Sequence, residues 1–173
     1  DTGAVFDRFQ RTEQFDTWLG ATGNPTSSTK ITARGHFGLF RDQFLIDQRG
    51  SKALDDYSVN LTKLWEGLAQ VEQTVGRHQL VGGGEVLVET LDSTRINPSS
   101  VTRSRWALFA QDTWSLLDHG PRVAVEPGIR ADFDSQFGNA VTPRIALKFD
   151  PSKALTFRAS WGLGFRPPTF SEL

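Results

Sequence analysis

Apolar side chains recur at every second position through three successive segments near the C-terminus, residues 122–133, 141–150 and 155–166. Because successive side chains of a β-strand point to opposite faces, this period predicts three strands, each with one apolar and one polar face. The pattern is cleanest in the last segment, where Leu155, Phe157, Ala159, Trp161 and Leu163 alternate with Thr156, Arg158, Ser160 and Gly162. The chain is therefore expected to build a sheet whose two faces differ in polarity.

The same rhythm runs more weakly through the rest of the chain. Residues 31–39, 61–75 and 80–88 each keep apolar groups mainly on one parity, and residues 5–18 form a further candidate strand. In residues 106–114 both parities carry apolar groups, so the facing of that segment stays open. With polar turns between these segments, the sequence predicts an all-β meander of about eight antiparallel strands.

The predicted turns differ in length between the two ends of the strands. Connections near Gly76, 117–121 and 150–153 are short, whereas those at 48–56 and 97–102 are longer and polar. Short turns at one end and longer loops at the other are typical of outer-membrane barrels. Two connections depart from this rule. ATGNPTSS predicts a long turn at the end where the other turns are short, and DSQFGN predicts a brief turn at the end where the other loops are longer.

Composition argues against several other functions. Hydrophobic residues make up 38% of the chain, and no stretch approaches the roughly 18 consecutive apolar residues of a membrane helix. A formal net charge of -1 gives no basic footprint for nucleic acid. There is no cysteine, and His36, His78 and His119 lack metal-ligand spacing, so each is interpreted as a solvated or locally bonded side chain. With no catalytic or phosphate-binding motif, we expect no enzyme, no metal and no cofactor.

Alternation leaves two classes of protein open. Soluble β-sandwiches and propellers contain half-buried strands, and membrane barrels alternate lipid-facing with interior-facing residues. Aromatic residues near predicted strand ends favour the barrel, as does a polar face rich in Arg, Lys, Glu, Gly and Thr; these aromatics are Trp18, Trp114, Phe149 and Phe165. A soluble antiparallel β-sheet domain with a binding or structural role is the alternative.

The order of several short motifs favours the membrane barrel. DSQFG, VTPRIALKF and FRASWGLGFRPPTFSEL follow one another near the C-terminus, and ALFAQDTW precedes EPGIRADF upstream of them. In this order and spacing they resemble the barrel of TonB-dependent outer-membrane receptors, firmly over 103–173 and more loosely over 31–94. Pro167 stands where that family usually has alanine. The resemblance gives a structural role to the motif residues Pro143, Arg144, Gly164, Phe165, Arg166, Pro168, Glu172 and Leu173.

The resemblance also implies a fold and a function. The implied fold is a transmembrane antiparallel β-barrel of roughly 22 strands. Residues 1–173 would be the part of its barrel domain that supplies about eight strands, and the plug domain and C-terminal strands are expected to lie outside this sequence. The absence of a Met and of a signal peptide favours a piece of a longer chain.

The implied function is active import of a scarce chelate, such as a ferric siderophore or cobalamin, across the outer membrane of a bacterial cell. The partners implied are outer-membrane lipid, the receptor's own plug domain, the TonB complex and the chelate itself. In the family, the run corresponding to GFRPP lies where a strand leaves the membrane toward the outside, and we expect Arg166 to pair with Glu172 there.

Charge predicts which face is which. An Arg or Lys directed at the bilayer midplane costs about 2–4 kcal/mol, so the charged parity is predicted to face the barrel interior. The resemblance implies that this face docks the plug domain, and the alternative is cross-strand pairing in a hydrated interior. The residues predicted to face the interior are Arg122, Glu126, Arg130, Asp132, Lys148 and Arg158, with Thr156, Ser160 and Gly162 beside them. The apolar parity of residues 155–163 is predicted to face lipid.

Overall fold

The computed structural model describes residues 5–50, 56–117 and 120–168. These residues form eight β-strands: β1 (Phe6–Thr26), β2 (Thr29–Gln48), β3 (Asp56–Val75), β4 (His78–Ser93), β5 (Ser100–Leu117), β6 (Arg122–Asp134), β7 (Gly138–Ser152) and β8 (Leu155–Gly162). Within the described ranges, no helix has the length and apolar character needed to cross a membrane.

All eight strands belong to one sheet. Each strand pairs antiparallel with the next strand in sequence, so the spatial order is the chain order from β1 to β8. The predicted all-β meander of about eight strands is confirmed. Among the described residues, β1 and β8 have one paired neighbour each, and they form the two edges of the sheet.

The short and the longer connections between strands lie mainly at opposite ends of the sheet, as the predicted turn lengths indicate. At one end, here called the tight-turn end, β1–β2 turn at residues 27–28, β3–β4 at 76–77 and β7–β8 at 153–154. Gly76 has a φ of 59°, a left-handed conformation that glycine adopts without the steric cost of a Cβ. The opposite end carries the longer connections 49–55 and 94–99, of which residues 51–55 lie outside the described ranges.

The expected long turn at ATGNPTSS is wrong. Strand β1 continues through Thr26, and the turn itself consists of Ser27 and Ser28. The register with β2 shifts between Gly23 and Thr26, so Asn24 and Pro25 are accommodated as an irregularity within the strand. Proline has no N–H for a ladder and occurs in sheets at edges and bulges, which is its position here. The brief DSQFGN connection is as expected, because β7 starts at Gly138.

The two faces of the sheet follow from the pairing, since directly opposed residues project to the same side. We call one side the apolar face, defined by Phe37, Trp65, Trp106, Ile129 and Trp161. We call the other side the polar face, defined by His36, Glu66, Arg105, Arg130 and Arg158. The facing that the sequence leaves open in β5 is thereby determined: Trp106, Leu108 and Trp114 lie on the apolar face and Phe109 on the polar face.

Burial is the reverse of that in a soluble domain. Within the described strands the buried residues all lie on the polar face, and they are Thr32, Gly38, Ser58, Ser93, Arg103, Ala107, Asp132 and Asp134. Most of the large exposed hydrophobic residues lie on the apolar face, including Leu19 at 82% and Trp161 at 63% exposure. The apolar face thus has no protein layer covering it among the described residues.

Aromatic side chains on the apolar face form two groups at different heights. Toward the long-connection end, the ring centroids of Phe37 and Trp65 lie 4.4 Å apart, and those of Trp106 and Phe133 lie 4.1 Å apart. Toward the tight-turn end, the rings of Phe149 and Phe157 lie 6.3 Å apart. Two aromatic rows bordering an apolar band are the arrangement that membrane barrels place at the lipid–water interfaces.

One glycine in the middle of the sheet is sterically required. A Cβ on Gly83, on the polar face of β4, would lie 2.5 Å from the carbonyl oxygen of Ala69 and 2.7 Å from Cζ of Phe109. The backbone of β3 and the ring of Phe109 therefore occupy the space of the missing side chain. Its neighbour Gly82, on the apolar face, would place a Cβ no closer than 3.8 Å to any atom outside its flanking residues.

We expect Gly83→Ala to lower the free energy of unfolding by about 1–3 kcal/mol, because the added methyl group overpacks against β3. The measurement is urea-induced unfolding of the full-length polypeptide in lipid vesicles, followed by tryptophan fluorescence. Gly82→Ala in the same strand is the matched control and should change stability much less. Equal effects of the two substitutions would show that Phe109 and β3 do not pack closely over Gly83.

Candidate functional site

The polar face carries several separate ion pairs. The residues predicted from charge to face the interior, Arg122, Glu126, Arg130, Asp132, Lys148 and Arg158, all lie on this one face of β6, β7 and β8. Arg130 on β6 reaches Glu85 on β4, where its Nη2 lies 2.6 Å from Oε2, and its Nε lies 3.0 Å from Oδ2 of Asp132 on its own strand. Lys148 Nζ lies 2.9 Å from Asp150 Oδ2, and Arg158 is directly opposite Lys148 in the register.

Arg144 shows how glycine shapes one of these ion pairs. Its aliphatic stem crosses two neighbouring glycines: a Cβ on Gly128 would lie 3.1 Å from Arg144 Cγ, and a Cβ on Gly162 would lie 3.0 Å from Arg144 Cβ. The guanidinium donates a hydrogen bond to Glu126 on the adjacent strand. The other predicted motif residue in β7, Pro143, has its carbonyl group 3.0 Å from the N–H of Leu163, which donates to it where β8 ends.

Arg103, at the start of β5, connects the motifs at the long-connection end. Its Nε and Nη2 donate to Asp134 Oδ2 at 2.9 and 2.5 Å, and its Nη1 donates to the carbonyl oxygen of Pro168 at 2.6 Å. Its guanidinium also lies 4.7 Å from the centre of the Phe137 ring. The side chains of Arg103 and Asp134 are 5% and 0% exposed, so this is a buried ion pair within a largely hydrated face.

This contact explains why the motifs occur together. DSQFG supplies Asp134 and Phe137, the run after β8 supplies Pro168, and Arg103 holds all three. Asp134 also closes its own turn by accepting backbone hydrogen bonds from Gln136 and Phe137 at 2.9 and 3.1 Å. The motif residues Gly164, Phe165 and Arg166 lie between β8 and Pro168, outside the regular strands. Glu172 and Leu173 lie outside the described residues, so the expected Arg166–Glu172 pair stays a prediction.

A second polar group surrounds His36 on β2. Its Nδ1 lies 2.7 Å from Glu66 Oε2, its Nε2 lies 3.1 Å from Asp16 Oδ1, and the Trp18 ring stacks on it at 4.5 Å. Beside this group lies a cavity of about 350 Å³, lined by Trp18, Arg34, His36, Glu66, Glu85, Arg105 and Arg130 among others. Trp18 is the largest apolar side chain exposed on the polar face, and it forms part of the wall of this cavity.

Sequence reasoning identified neither Arg103 nor the His36 group as functional candidates. Both depend on register: His36 meets its two carboxylates because β1, β2 and β3 pair in one alignment. Arg103 is at the start of β5 and Asp134 at the end of β6, and both occupy positions that project to the polar face. The alternation of each strand is the one sequence feature that places the two side chains on the same face.

The polar face can bind a partner through complementary charge. Its ion pairs, carboxylates and one stacked aromatic side chain offer contacts to a polar surface. In the ranges that the structure describes, no cluster of three or more His, Cys, Asp or Glu side chains is placed to hold a metal ion.

These features define a class of protein. An antiparallel meander with one charged face, one uncovered apolar face and two aromatic rows is a segment of a membrane-spanning β-barrel wall. Comparison with protein families gives the particular family, because the sequence model described as "TonB dependent receptor-like, beta-barrel" matches residues 1–173. The chain belongs to this family of outer-membrane β-barrels.

Two curated relatives agree with this family. The "Iron-regulated outer membrane virulence protein" of Vibrio cholerae serotype O1 is 27% identical over 103 residues, which cover 57% of this chain and 15% of that protein. The "Vitamin B12 transporter BtuB" of Vibrio vulnificus is 45% identical over 51 residues, 30% of this chain and 8% of that protein. The chain thus matches only a small part of the length of these relatives.

Proposed function

We propose that this chain forms part of the barrel wall of an outer-membrane receptor that imports a scarce chelate, such as a ferric siderophore or cobalamin. The observation that carries the proposal is the Arg103 contact, which joins the DSQFG and FRPP motifs of the family in one buried site. The names of the two relatives, one iron-regulated and one a vitamin B12 transporter, support this range of ligands.

In this proposal the polar face lines the barrel interior. A charged side chain turned toward the bilayer midplane costs about 2–4 kcal/mol, and Arg130, Arg144, Lys148 and Arg158 avoid this cost only if their face is the inner one. The ion pairs of this face then form a charged surface against which a plug domain can dock. The TonB complex supplies the energy for transport from the periplasmic side. The tight-turn end is the periplasmic end, as in other outer-membrane barrels.

Transport is the direct test of the proposed function. Cells lacking the full-length receptor, and cells with it restored, are given radiolabelled ferric siderophores or cobalamin in the presence and absence of functional TonB. We expect restored uptake of one of these chelates that is lost without TonB. If the receptor is folded in the outer membrane but supports no TonB-dependent uptake of either class, the proposed chelate import is wrong.

Neighbouring positions of β7 test which face meets lipid. Ile145 lies on the apolar face and is 47% exposed, whereas Ala146 lies on the polar face opposite Glu126. We expect Ile145→Lys to lower the free energy of unfolding by about 2–4 kcal/mol, because it buries a charge in the bilayer. Ala146→Lys, the matched control, should have little effect, since an exposed ion pair with Glu126 contributes about 0–1 kcal/mol.

The readout is equilibrium unfolding in vesicles of the full-length polypeptide. If Ala146→Lys lowered the free energy of unfolding more than Ile145→Lys, the assignment of the apolar face to lipid and the polar face to the interior would be wrong.

A further inference from the structure

A polar group lies on the apolar face close to the tight-turn end. His78 Nδ1 lies 2.6 Å from Asp112 Oδ2, and the Trp114 ring stacks on the imidazole with centroids 5.3 Å apart. The second carboxylate oxygen, Asp112 Oδ1, has no hydrogen-bond partner among the described residues. A carboxylate in this largely apolar part of the face, where Leu80 is directly opposite it, needs a partner, because an uncompensated charge is costly there.

A groove of about 500 Å³ extends from this carboxylate along the apolar face. Its outward lining residues are Leu80, Gly82, Ala110, Asp112, Pro127 and Ile129. Small side chains form its floor, because Gly82 and Ala110 are directly opposed in the register. Pro127 has no N–H, and the paired register of β5 with β6 is interrupted opposite it, next to Asp112. The groove is thus apolar along its length and negatively charged at one end.

We propose that this groove binds a phospholipid of the inner leaflet with a phosphoethanolamine headgroup. The acyl chain lies along the groove, and the ammonium group lies at the end formed by His78, Asp112 and Trp114. The inference rests on the proposed placement of the apolar face against lipid. The height is appropriate, because Trp114 belongs to the tight-turn end, where interfacial aromatics lie at headgroup level.

The chemistry selects an ammonium group that carries N–H donors. Because an ionised carboxylate only accepts hydrogen bonds, Nδ1 of His78 donates to Asp112. The carboxylate and the face of an aromatic ring together attract a primary ammonium by charge, hydrogen bonding and cation–π contact. A phosphatidylglycerol lacks the cation, and a phosphatidylcholine lacks the N–H donors.

The test uses the full-length polypeptide in a mild detergent, with added phospholipids of matched acyl chains, and native mass spectrometry to measure bound lipid. We expect phosphatidylethanolamine to be retained about tenfold more strongly than phosphatidylglycerol or phosphatidylcholine, the ratio that one charge-assisted hydrogen bond supplies. Asp112→Asn should remove this preference. Asp92→Asn is the matched control, because Asp92 lies on the same face at the opposite end, bonded to Lys63 and Ser100.

The possible outcomes separate this inference from the proposed function. Phospholipid retention without a headgroup preference in the unsubstituted protein would overturn the inference and leave the membrane placement intact. A preference that survives Asp112→Asn in a folded protein would also overturn it, since the carboxylate would not be the determinant. A folded protein that retains no phospholipid would contradict both the inference and the placement of the apolar face. Chelate uptake, measured separately, tests transport independently of lipid binding.

Discussion

Replacing Arg103 with methionine should lower the free energy of unfolding by about 3–5 kcal/mol, because it leaves the carboxylate of Asp134 buried without its charged partner. The side chain of Asp134 is fully enclosed, and Arg103 supplies two of its hydrogen bonds. Methionine keeps much of the volume of the arginine stem, so the loss reports the charge and the hydrogen bonds. Equilibrium unfolding of the full-length polypeptide in vesicles gives the value.

An exposed pair on the same face provides the control. Arg144 is 55% exposed in its side chain and pairs with Glu126, so Arg144→Met should cost about 0–1 kcal/mol. A double-mutant cycle with Asp134→Leu isolates the Arg103 interaction, because removing both charges avoids the unpaired carboxylate. If Arg103→Met were no more damaging than Arg144→Met, the buried site would not hold the sheet end together.

The same substitution should release the chain that follows β8. The carbonyl group of Pro168 is held by Arg103 Nη1, and Pro167 is buried beside it. Hydrogen exchange at residues 163–166 should therefore accelerate in Arg103→Met, while exchange in the centre of β3 stays slow. This local readout distinguishes an anchor for the FRPP run from a contribution to stability alone.

The sequence predicts the strands well because their signal is local. A period of two is visible within eight or ten residues, as in residues 155–163, and needs no knowledge of the partner strand. The prediction of a long turn at ATGNPTSS is wrong because it also relies on local sequence. Gly, Asn and Pro together indicate a turn, but Asn24 and Pro25 lie in an irregularity of the edge strand β1. The local sequence does not distinguish a turn from such an irregularity.

The candidate site was less accessible to prediction because it depends on register. In residues 106–114 both parities are apolar, and the structure gives the reason: Phe109 fills the space over Gly83 on the polar face. The contact between Arg103 and Pro168 joins residues 65 positions apart in the chain. Such contacts require the alignment of β5 with β6 and the path of the chain beyond β8, neither of which a single strand's pattern contains.

Residues 1–173 expressed alone, without detergent, should aggregate completely. The sheet ends at β1 and β8, and each edge strand presents unpaired N–H and C=O groups that can pair with another chain. Its apolar face exposes large side chains from every strand, including Leu19, Trp65 and Trp161. Soluble monomers tolerate continuous apolar patches of only about 300–600 Å², and an eight-stranded apolar face is much larger.

Sedimentation of the isolated segment, with and without detergent, measures this directly. We expect the protein in the pellet without detergent and in the supernatant when detergent micelles cover the apolar face. The segment should also show no submicromolar binding of ferric siderophores or cobalamin, because an open sheet of eight strands cannot enclose a ligand. The polar face, including the His36 cavity, would remain open to water on one side. A monodisperse, detergent-free monomer that binds one of these chelates tightly would instead identify residues 1–173 as a self-contained soluble binding domain.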